Sequence, residues 1–313
     1  MNNQAMTLET NTQKLGLGGL IQTYADLTKL KLSILVVMST AVAFVMASEL
    51  GIEWMIFLWT VLGTILSAAA AATLNQLFER ARDSEMLRTE NRPIPSGRIS
   101  SIHAFIVGVV LAYAGISILA FGANPAAAGI SFLTIFLYVA VYTPLKPKTT
   151  FNTFVGAFVG ALPPLIGWVA ATNTLSAGAW ILAGVLFLWQ IPHFLALAWK
   201  YKDQYEQGGF FMLPSVDPSG ELTGRVSVIA SLCLIPLCLL LTEEGITSAL
   251  FAIGGSALSL WFTYVSFRFW RKPNNKTAMN MFLASIAYLP LIFILMVLTR
   301  QYVDFSEITL VAQ

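Results

Sequence analysis

One polar stretch carries most of the residues in this chain that could do chemistry. It runs from Asn75 to Arg98, between two long apolar segments, and holds five arginines and four carboxylates. If the preceding helix continues into it, Asn75, Glu79 and Asp83 are spaced four residues apart and fall within an arc of roughly 80° on one helical face. Oxygen ligands on one face suit Mg²⁺, which usually takes one or two protein carboxylates and completes its octahedron with water and phosphate oxygens.

The arginines of this stretch suit a phosphate ligand, because a guanidinium group pairs with phosphate through two hydrogen bonds. Carboxylates beside several arginines therefore indicate a site for a metal-bound phosphate compound. The simpler interpretation is a solvated loop whose charges only fix the topology of a membrane protein. The stretch by itself leaves both interpretations open.

A second polar cluster, at the end of a later apolar segment, matches the first in kind. Asp203, Glu206 and Gln207 lie at positions i, i+3 and i+4, with Lys200 and Lys202 beside them. This spacing places the oxygen ligands on one helical face. Two such clusters facing each other could hold a pair of Mg²⁺ ions bridged by a diphosphate. For Asp203 alone, a surface position at the end of a helix is an equally good interpretation.

A histidine lies deep in the apolar segment that precedes this second cluster. His193 follows Pro192 directly, and an ionisable side chain at such a depth is a functional candidate. The proline is expected to kink the helix and to free a backbone carbonyl. Porphyrin contact, proton handling, a hydrogen bond across the bundle and simple packing all remain open for His193. A third polar segment carries Lys146 and Lys148, which either bind phosphate or anchor a helix end.

The elements that position these residues are membrane helices. Of the 313 residues, 57% are hydrophobic and 11% are charged, whereas soluble domains carry about 25% charged residues. Apolar runs of about 18 residues exclude an ordinary soluble fold, and lipid offers no partner to an unpaired backbone group. The sequence predicts an all-α polytopic membrane protein, a bundle of nine transmembrane helices at residues 32–48, 54–76, 101–121, 125–142, 152–171, 178–199, 225–242, 246–267 and 278–299.

Alternate loops of this bundle differ sharply in charge. One set holds 17 of the 18 lysines and arginines, and the other holds Arg300 alone. The positive-inside rule places the first set in the cytoplasm. We therefore expect a flexible cytoplasmic leader at residues 1–31, a membrane domain at 32–299 and a short external tail at 300–313. The leader resembles neither a secretory signal nor a mitochondrial transit peptide, which favours a bacterial inner membrane protein.

The order and spacing of these motifs resemble the UbiA-type intramembrane prenyltransferases, and within them the heme O synthase (protoheme IX farnesyltransferase) group. The first family motif is Asn-x3-Asp-x3-Asp followed by Met-x-Arg-Thr-x2-Arg-Pro. It is matched by Asn75, Glu79, Asp83, Met86, Arg88, Thr89, Arg92 and Pro93. Trp189-Gln190 with Pro192-His193-Phe194 is similar to helix 6 of the group. Glu79 replaces the usual aspartate, and Gln207 occupies the second carboxylate position of the later motif.

The resemblance implies an enzyme that transfers farnesyl from farnesyl diphosphate to a vinyl group of heme b, with addition of water, to give heme O. It also implies Mg²⁺ as cofactor. The catalytic residues would be Asn75, Glu79, Asp83 and Asp203, and the metal ligands would be these four with Glu206. The diphosphate-binding residues would be Arg88, Arg92, Lys146, Lys148 and Lys202. The heme pocket would include His193, Trp189, Gln190 and Asn152.

Two other functions remain open at this point. One is a prenyltransferase for another acceptor, such as an aromatic quinone precursor or a chlorophyllide. The other is a secondary transporter, which is disfavoured because transporters place their polar site near the bilayer midplane, whereas these carboxylates crowd at helix ends. No nucleic-acid partner is expected, and complexes with heme A synthase or terminal-oxidase assembly factors remain open.

Overall fold

The computed structural model describes residues 16–48 and 51–301. Apart from one isolated β-bridge, regular structure in these two ranges is helical. In chain order the helices are α1 (Leu17–Leu27), α2 (Leu30–Ala47), α3 (Trp54–Asp83), α4 (Ser101–Gly122), α5 (Pro125–Phe136), α6 (Thr143–Leu145), α7 (Asn152–Gly160), α8 (Pro163–Thr172), α9 (Ala177–Lys200), α10 (Lys202–Gln207), α11 (Leu213–Val216), α12 (Glu221–Leu232), α13 (Leu234–Glu243), α14 (Ala249–Arg271) and α15 (Asn275–Leu298).

The all-α membrane bundle that the sequence predicts is confirmed. In the described part of the chain, eight helices or continuous helix pairs are long and apolar enough to cross a membrane. A ninth span results if residues 18–27 and 32–47, which meet at a bend of 62°, are counted together. The chain is therefore a multi-pass membrane protein.

The predicted span at 54–76 lies within helix α3, and the continuation of this helix into the polar stretch, on which the shared face of Asn75, Glu79 and Asp83 depends, is confirmed. Helix α3 continues without a break to Asp83, because no glycine or proline interrupts the sequence between Gly63 and Pro93. The last two turns of this helix therefore project beyond the apolar segment. They carry the first polar cluster on a rigid element rather than on a loop.

Between α5 and α6 the chain forms a π-helical segment at Leu137–Tyr142. Such a segment has i→i+5 hydrogen bonds and therefore accommodates one more residue than an α-helical turn. It turns Tyr138 and Tyr142 towards the polar end of α3, where both line a cavity with Glu79. Segments of this kind occur frequently at functional sites.

The expectation of a flexible leader up to residue 31 is wrong for its described part, since residues 17–27 form α1. Gln76 of α3 donates hydrogen bonds of 2.8 Å to the backbone oxygens of Asp26 and Leu27. Carbonyl groups at a helix end lack partners in their own helix, so this amide anchors the end of α1. Residues 1–15 and the predicted external tail beyond residue 301 lie outside the described ranges.

Helix α9 lies at the centre of the bundle and packs against α7, α8, α12, α13 and α15.

A small residue lets helices α2 and α8 pack closely against each other. At Gly167 of α8, a Cβ atom would collide with the backbone oxygen of Thr40 in α2. Helix α2 is therefore held close to α8, which fixes one wall of the cavities described below.

Candidate active site

Three predicted ligands lie together at the end of α3, as the helical spacing predicts. Asn75, Glu79 and Asp83 are exposed by 0%, 5% and 1%, respectively. All three lie on the last two and a half turns of α3. Buried carboxylates require charged partners or a metal, so their surroundings decide what this face can bind.

Cations from two other segments contact the two carboxylates of this face. The Lys146 Nζ lies 2.7 Å from Glu79 Oε1, and the Arg92 Nη1 lies 2.6 Å from Asp83 Oδ2. Burial alone would lower the pKa of Lys146, but the Glu79 carboxylate outweighs this effect and holds its pKa above the ordinary value. Lys146 is therefore a permanent cation at this site.

A third basic side chain, which the sequence analysis did not assign to the site, contacts the Asn75 amide. Lys29 Nζ donates a hydrogen bond of 2.8 Å to Asn75 Oδ1, while Asn75 Nδ2 donates to Thr143 Oγ1 at 3.0 Å. Lys29 has a left-handed backbone with φ of 49°, which is unfavourable for a residue with a side chain. Such strain persists where the surroundings enforce it and is concentrated at functional sites.

These groups line a polar cavity of about 180 Å³. Its charged and amide side chains are Lys29, Glu79, Asp83, Arg88, Arg92, Lys146 and Asn152. The cavity thus combines oxygen ligands on one wall with four basic side chains from three segments of the chain. That combination fits a polyanion carrying a divalent cation.

An apolar chamber of about 150 Å³ adjoins the polar cavity. Its walls include the small residues Ala68, Ala71 and Ala72 of α3. Lys29 and Tyr138 line both spaces, so the two meet at these side chains. A ligand with a charged head and a long hydrocarbon tail matches this arrangement.

The second polar cluster reaches the cavity through different residues from those the sequence predicts. Arg88 Nη2 lies 3.3 Å from the Tyr205 hydroxyl oxygen, and Lys146 Nζ lies 5.9 Å from the Phe210 ring centre. The two polar segments therefore converge at the same end of the bundle. Their carboxylates do not, since Asp203 and Glu206 are exposed and neither lines the polar cavity.

No group of three or more His, Cys, Asp or Glu side chains that could hold a metal ion occurs in residues 16–48 and 51–301. Two predicted phosphate ligands also lie apart from the cavity lining. Lys148 is exposed, and the Lys202 ammonium lies 5.4 Å from the ring centre of Trp199.

The predicted heme-pocket residues occupy three places. Asn152 is buried at the polar cavity, where its Nδ2 donates to the backbone oxygen of Phe211 at 2.8 Å. Gln190 packs against Gly160, which lines the apolar chamber. Trp189 and His193 stack together and face α15. They line neither cavity.

Sequence reasoning missed Lys29, Tyr138, Tyr142, Tyr205 and Phe210 as site residues. A signal existed for Lys29, a basic residue immediately before an apolar span. The aromatic residues gave no usable signal, because tyrosine and phenylalanine are common at the ends of membrane helices.

A comparison of the chain with protein families identifies the family to which it belongs. A profile of the UbiA prenyltransferase family matches residues 36–286. The chain belongs to the UbiA prenyltransferase family.

Within the UbiA family, the chain is similar to relatives of one named group. The chain is 40% identical to a protoheme IX farnesyltransferase of Solibacter usitatus, with 88% of this chain and 98% of that protein covered. It is 39% identical to the mitochondrial protoheme IX farnesyltransferase of Homo sapiens, with 88% of this chain and 62% of that protein covered. The chain thus spans less than two thirds of the human protein's length.

Solved structures show the same fold. A structure of digeranylgeranylglyceryl phosphate synthase has a TM-score of 0.75 at 17% identity and covers 89% of this chain and 98% of that chain. A UbiA homologue from Archaeoglobus fulgidus bound to GPP and Mg²⁺ has a TM-score of 0.68 at 15% identity, covering 88% and 99% of the two chains.

The residues at the end of α3 fit a bound Mg²⁺ ion. Asp83 Oδ1 is buried and has no hydrogen-bond partner among the described residues. An unpaired buried carboxylate oxygen is costly, and a divalent cation would satisfy it. The other nearby donors are also oxygens, the type that Mg²⁺ prefers.

Proposed function

We propose that this protein transfers a farnesyl group from farnesyl diphosphate to a vinyl group of heme b, with addition of water, to give heme O. The observation that supports this most is the meeting of the polar cavity and the apolar chamber at Lys29. A prenyl diphosphate has the same division into a charged head and an apolar tail. The acceptor is inferred from the relatives, which are named protoheme IX farnesyltransferases over most of the chain.

In this proposal Asn75, Glu79 and Asp83 hold Mg²⁺, which neutralises charge on the diphosphate when it is bound. Asp203 and Glu206 remain predicted ligands of a second ion. They are exposed on α10, a segment that Arg88 connects to the cavity through Tyr205.

The basic residues act on the leaving group. Breaking the allylic carbon–oxygen bond develops negative charge on the diphosphate, and cations fixed in advance stabilise that charge. Lys29, Lys146 and Arg92 are already held at the cavity by their contacts with α3. Arg88 adds a fourth cation, while Lys148 and Lys202 remain predicted contacts at the outer edge.

The apolar chamber protects the other product of bond cleavage. The farnesyl cation reacts with water unless water is excluded. The lining of the chamber is largely apolar, although a few serine and threonine hydroxyls lie among its alanine and aliphatic side chains, and it therefore disfavours water there. The cation is then available to the vinyl group of the acceptor.

The orientation follows from the charge of the loops. We propose that the active-site loops and the N-terminus face the cytoplasm of a bacterial cell, with the C-terminus outside. This places the polar cavity on the side of the inner membrane where soluble diphosphates are available.

The proposed reaction is tested with purified protein in lipid nanodiscs supplied with farnesyl diphosphate, heme b and Mg²⁺. We expect a new porphyrin in mass analysis with the mass of heme b plus one farnesyl group and one hydroxyl group, because the second hydrogen of the added water leaves as a proton. A chelator of divalent cations should abolish it. Prenylation of an aromatic acid while heme stays unchanged would overturn the assignment of the acceptor.

A matched pair of variants tests the site. Asp83→Ala is expected to abolish product, whereas Glu85→Ala, which removes an exposed carboxylate two residues away, should leave it unchanged. Full turnover by the Asp83 variant would contradict the metal assignment.

A further inference from the structure

The imidazole of His193 is held on several sides, although it lies among apolar helices. Its ring stacks with Trp189 at a centroid distance of 5.1 Å and with Phe282 of α15 at 5.0 Å. Its Nδ1 lies 2.8 Å from the Ser285 Oγ. The Trp189 indole is itself fixed, since Nε1 donates to the Ser285 backbone oxygen at 2.8 Å. The orientation of the ring is therefore set by α9 and α15 together.

The hydroxyl of Ser285 determines which nitrogen of His193 carries the proton. Its Oγ lies 2.6 Å from the backbone oxygen of Phe282, a separation at which one oxygen must donate to the other. A carbonyl has no hydrogen, so the single hydrogen of the serine hydroxyl is used there. Towards His193 the same hydroxyl can only accept, and Nδ1 therefore carries a hydrogen.

This arrangement leaves Nε2 with a lone pair and no partner. In the described ranges, Nε2 of His193 makes no hydrogen bond, and the side chain is only partly buried. A doubly protonated ring would place a second N–H without an acceptor among apolar helices, which is unfavourable. His193 is thus a neutral imidazole whose Nε2 is free to bind a metal or accept a hydrogen bond.

His193 lies beside the face of α9 that forms the cavity wall. Leu197, one turn further along the helix, and Phe194, the next residue, both line the polar cavity. At 100° per residue, Leu197 lies about 40° from His193 around the helix and about 6 Å along its axis. His193 therefore lies at about the depth of Phe194 and one turn deeper in the membrane than Leu197.

We propose that His193 is the axial ligand of the acceptor heme iron through Nε2, and that Ser285 is a positioning residue that fixes its tautomer. This rests on the proposed function. A neutral imidazole with its other N–H bound to an acceptor is the usual protein ligand of heme iron, and the second contact orients the ring and raises its basicity. The bond is made through the edge of the ring, so the stacked Trp189 and Phe282 do not obstruct it.

Ligation of this kind holds the porphyrin at its centre and leaves its edge free. The vinyl groups lie at that edge, several ångströms from the iron. A heme held one turn below Leu197 can extend towards the polar cavity and the allylic carbon. His193 would thus bring the acceptor to the farnesyl group without contacting the reacting atoms.

The test uses full-length protein in nanodiscs titrated with ferric heme b, followed by absorption and electron paramagnetic resonance spectra and by resonance Raman spectra after reduction. We expect an iron–histidine vibration and a histidine-ligated spectrum in the wild type. His193→Ala should lose both and regain the ligated spectrum when imidazole is added. Ser285→Ala should shift the iron–histidine frequency and weaken heme binding by about 10-fold or more.

Ser266→Ala is the matched control for Ser285. Ser266 is also a fully buried serine in a membrane helix, and its hydroxyl bonds only to the backbone oxygen of Phe262 in its own helix. Its spectra should be those of the wild type. An unchanged iron–histidine vibration in His193→Ala would overturn the proposal, as would equal shifts in the two serine variants.

The product assay on the same samples separates this inference from the proposed function. If the wild type farnesylates heme and His193→Ala keeps the wild-type spectrum, the ligand assignment alone is wrong. If the wild type shows the histidine-ligated spectrum but makes no farnesylated heme, the proposed reaction is wrong and His193 remains a heme ligand.

Discussion

The ends of α3 and α10 carry similar sequence patterns but have different surroundings. In α3, Glu79 and Asp83 are buried and each contacts a cation from another segment. In α10, Asp203 and Glu206 are exposed. The difference arises because α3 is a continuous helix of 30 residues covered by α1 and the π-helical segment, whereas α10 is a separate helix of six residues. Spacing predicts which residues share a face, but neighbouring elements decide whether that face is buried.

The sharpest test of this comparison is the pair Asp83→Asn and Asp203→Asn. We expect Asp83→Asn to lower kcat/KM by about 10³-fold, because a buried charge next to the leaving group is removed. Asp203→Asn should lower it by about tenfold, equivalent to about 1.4 kcal/mol, mainly through a higher Mg²⁺ requirement. Equal losses in steady-state assays would show that α10 moves onto the cavity in the reacting complex.

A second pair compares two lysines of one segment. Lys146→Met leaves Glu79 buried without its partner and should destabilise the protein by about 3 kcal/mol, with a higher KM for farnesyl diphosphate. Lys148→Met removes an exposed charge. It should leave the free energy of unfolding within about 0.5 kcal/mol of the wild type and raise the KM for farnesyl diphosphate less than Lys146→Met does, because Lys148 is only a contact at the outer edge of the site. Thermal unfolding in detergent and initial rates give the two readouts. Similar behaviour of the two variants would contradict the assignment of Lys146 as the buried partner.

A substitution of Gln76 tests whether the packing of α1 against α3 contributes to stability and substrate binding. Gln76→Leu keeps the volume but removes both hydrogen bonds to the end of α1. Loss of a partner for buried backbone oxygens costs about 1–3 kcal/mol, and Lys29 directly follows this anchored end. We expect a lower Tm and a higher KM for farnesyl diphosphate, with kcat less affected. A wild-type KM would show that α1 does not position Lys29.

The smallest expected effect concerns the chain between α11 and α12, downstream of α10. Burial alone would raise the pKa of Asp217, but hydrogen bonds from Thr223 and Ser219 outweigh it and hold the pKa below its usual value. A depressed pKa in the folded state contributes stability above the unfolded-state pKa of about 3.9, and that stability is lost as pH falls through the folded-state pKa.

Asp217→Asn should therefore lower Tm at neutral pH by an amount corresponding to about 1 kcal/mol and should reduce the loss of stability below pH 4. Unfolding curves between pH 3 and pH 7 check this. A mutant with the wild-type pH profile would show that Asp217 contributes nothing to acid sensitivity.

The sequence predicts the fold well because each span carries its own signal. Apolar runs indicate the membrane helices, and the regular four-residue spacing of Asn75, Glu79 and Asp83 indicates their shared face. The sequence also indicates the extension of α3 into the polar stretch, since no glycine or proline occurs between Gly63 and Pro93.

The parts that sequence reasoning missed depend on contacts between distant segments. Helix α1 is fixed by Gln76, which is about 50 residues away in the chain, and no local pattern reports that contact. The residues of the π-helical segment do not distinguish it from an ordinary α-helix in the sequence. The exposure of Asp203 depends on how a short helix leaves the end of α9, which residue spacing cannot indicate.

The π-helical segment has a consequence for how this chain tolerates changes in length. One additional residue in a helical turn rotates everything that follows by about 100° relative to a regular α-helix. Removing a single residue between positions 137 and 142 would restore the regular winding and swing Lys146 away from Glu79. The position of Lys146 at the cavity therefore depends on the number of residues in the π-helical segment. A one-residue deletion in this segment would do more harm than most substitutions of its side chains.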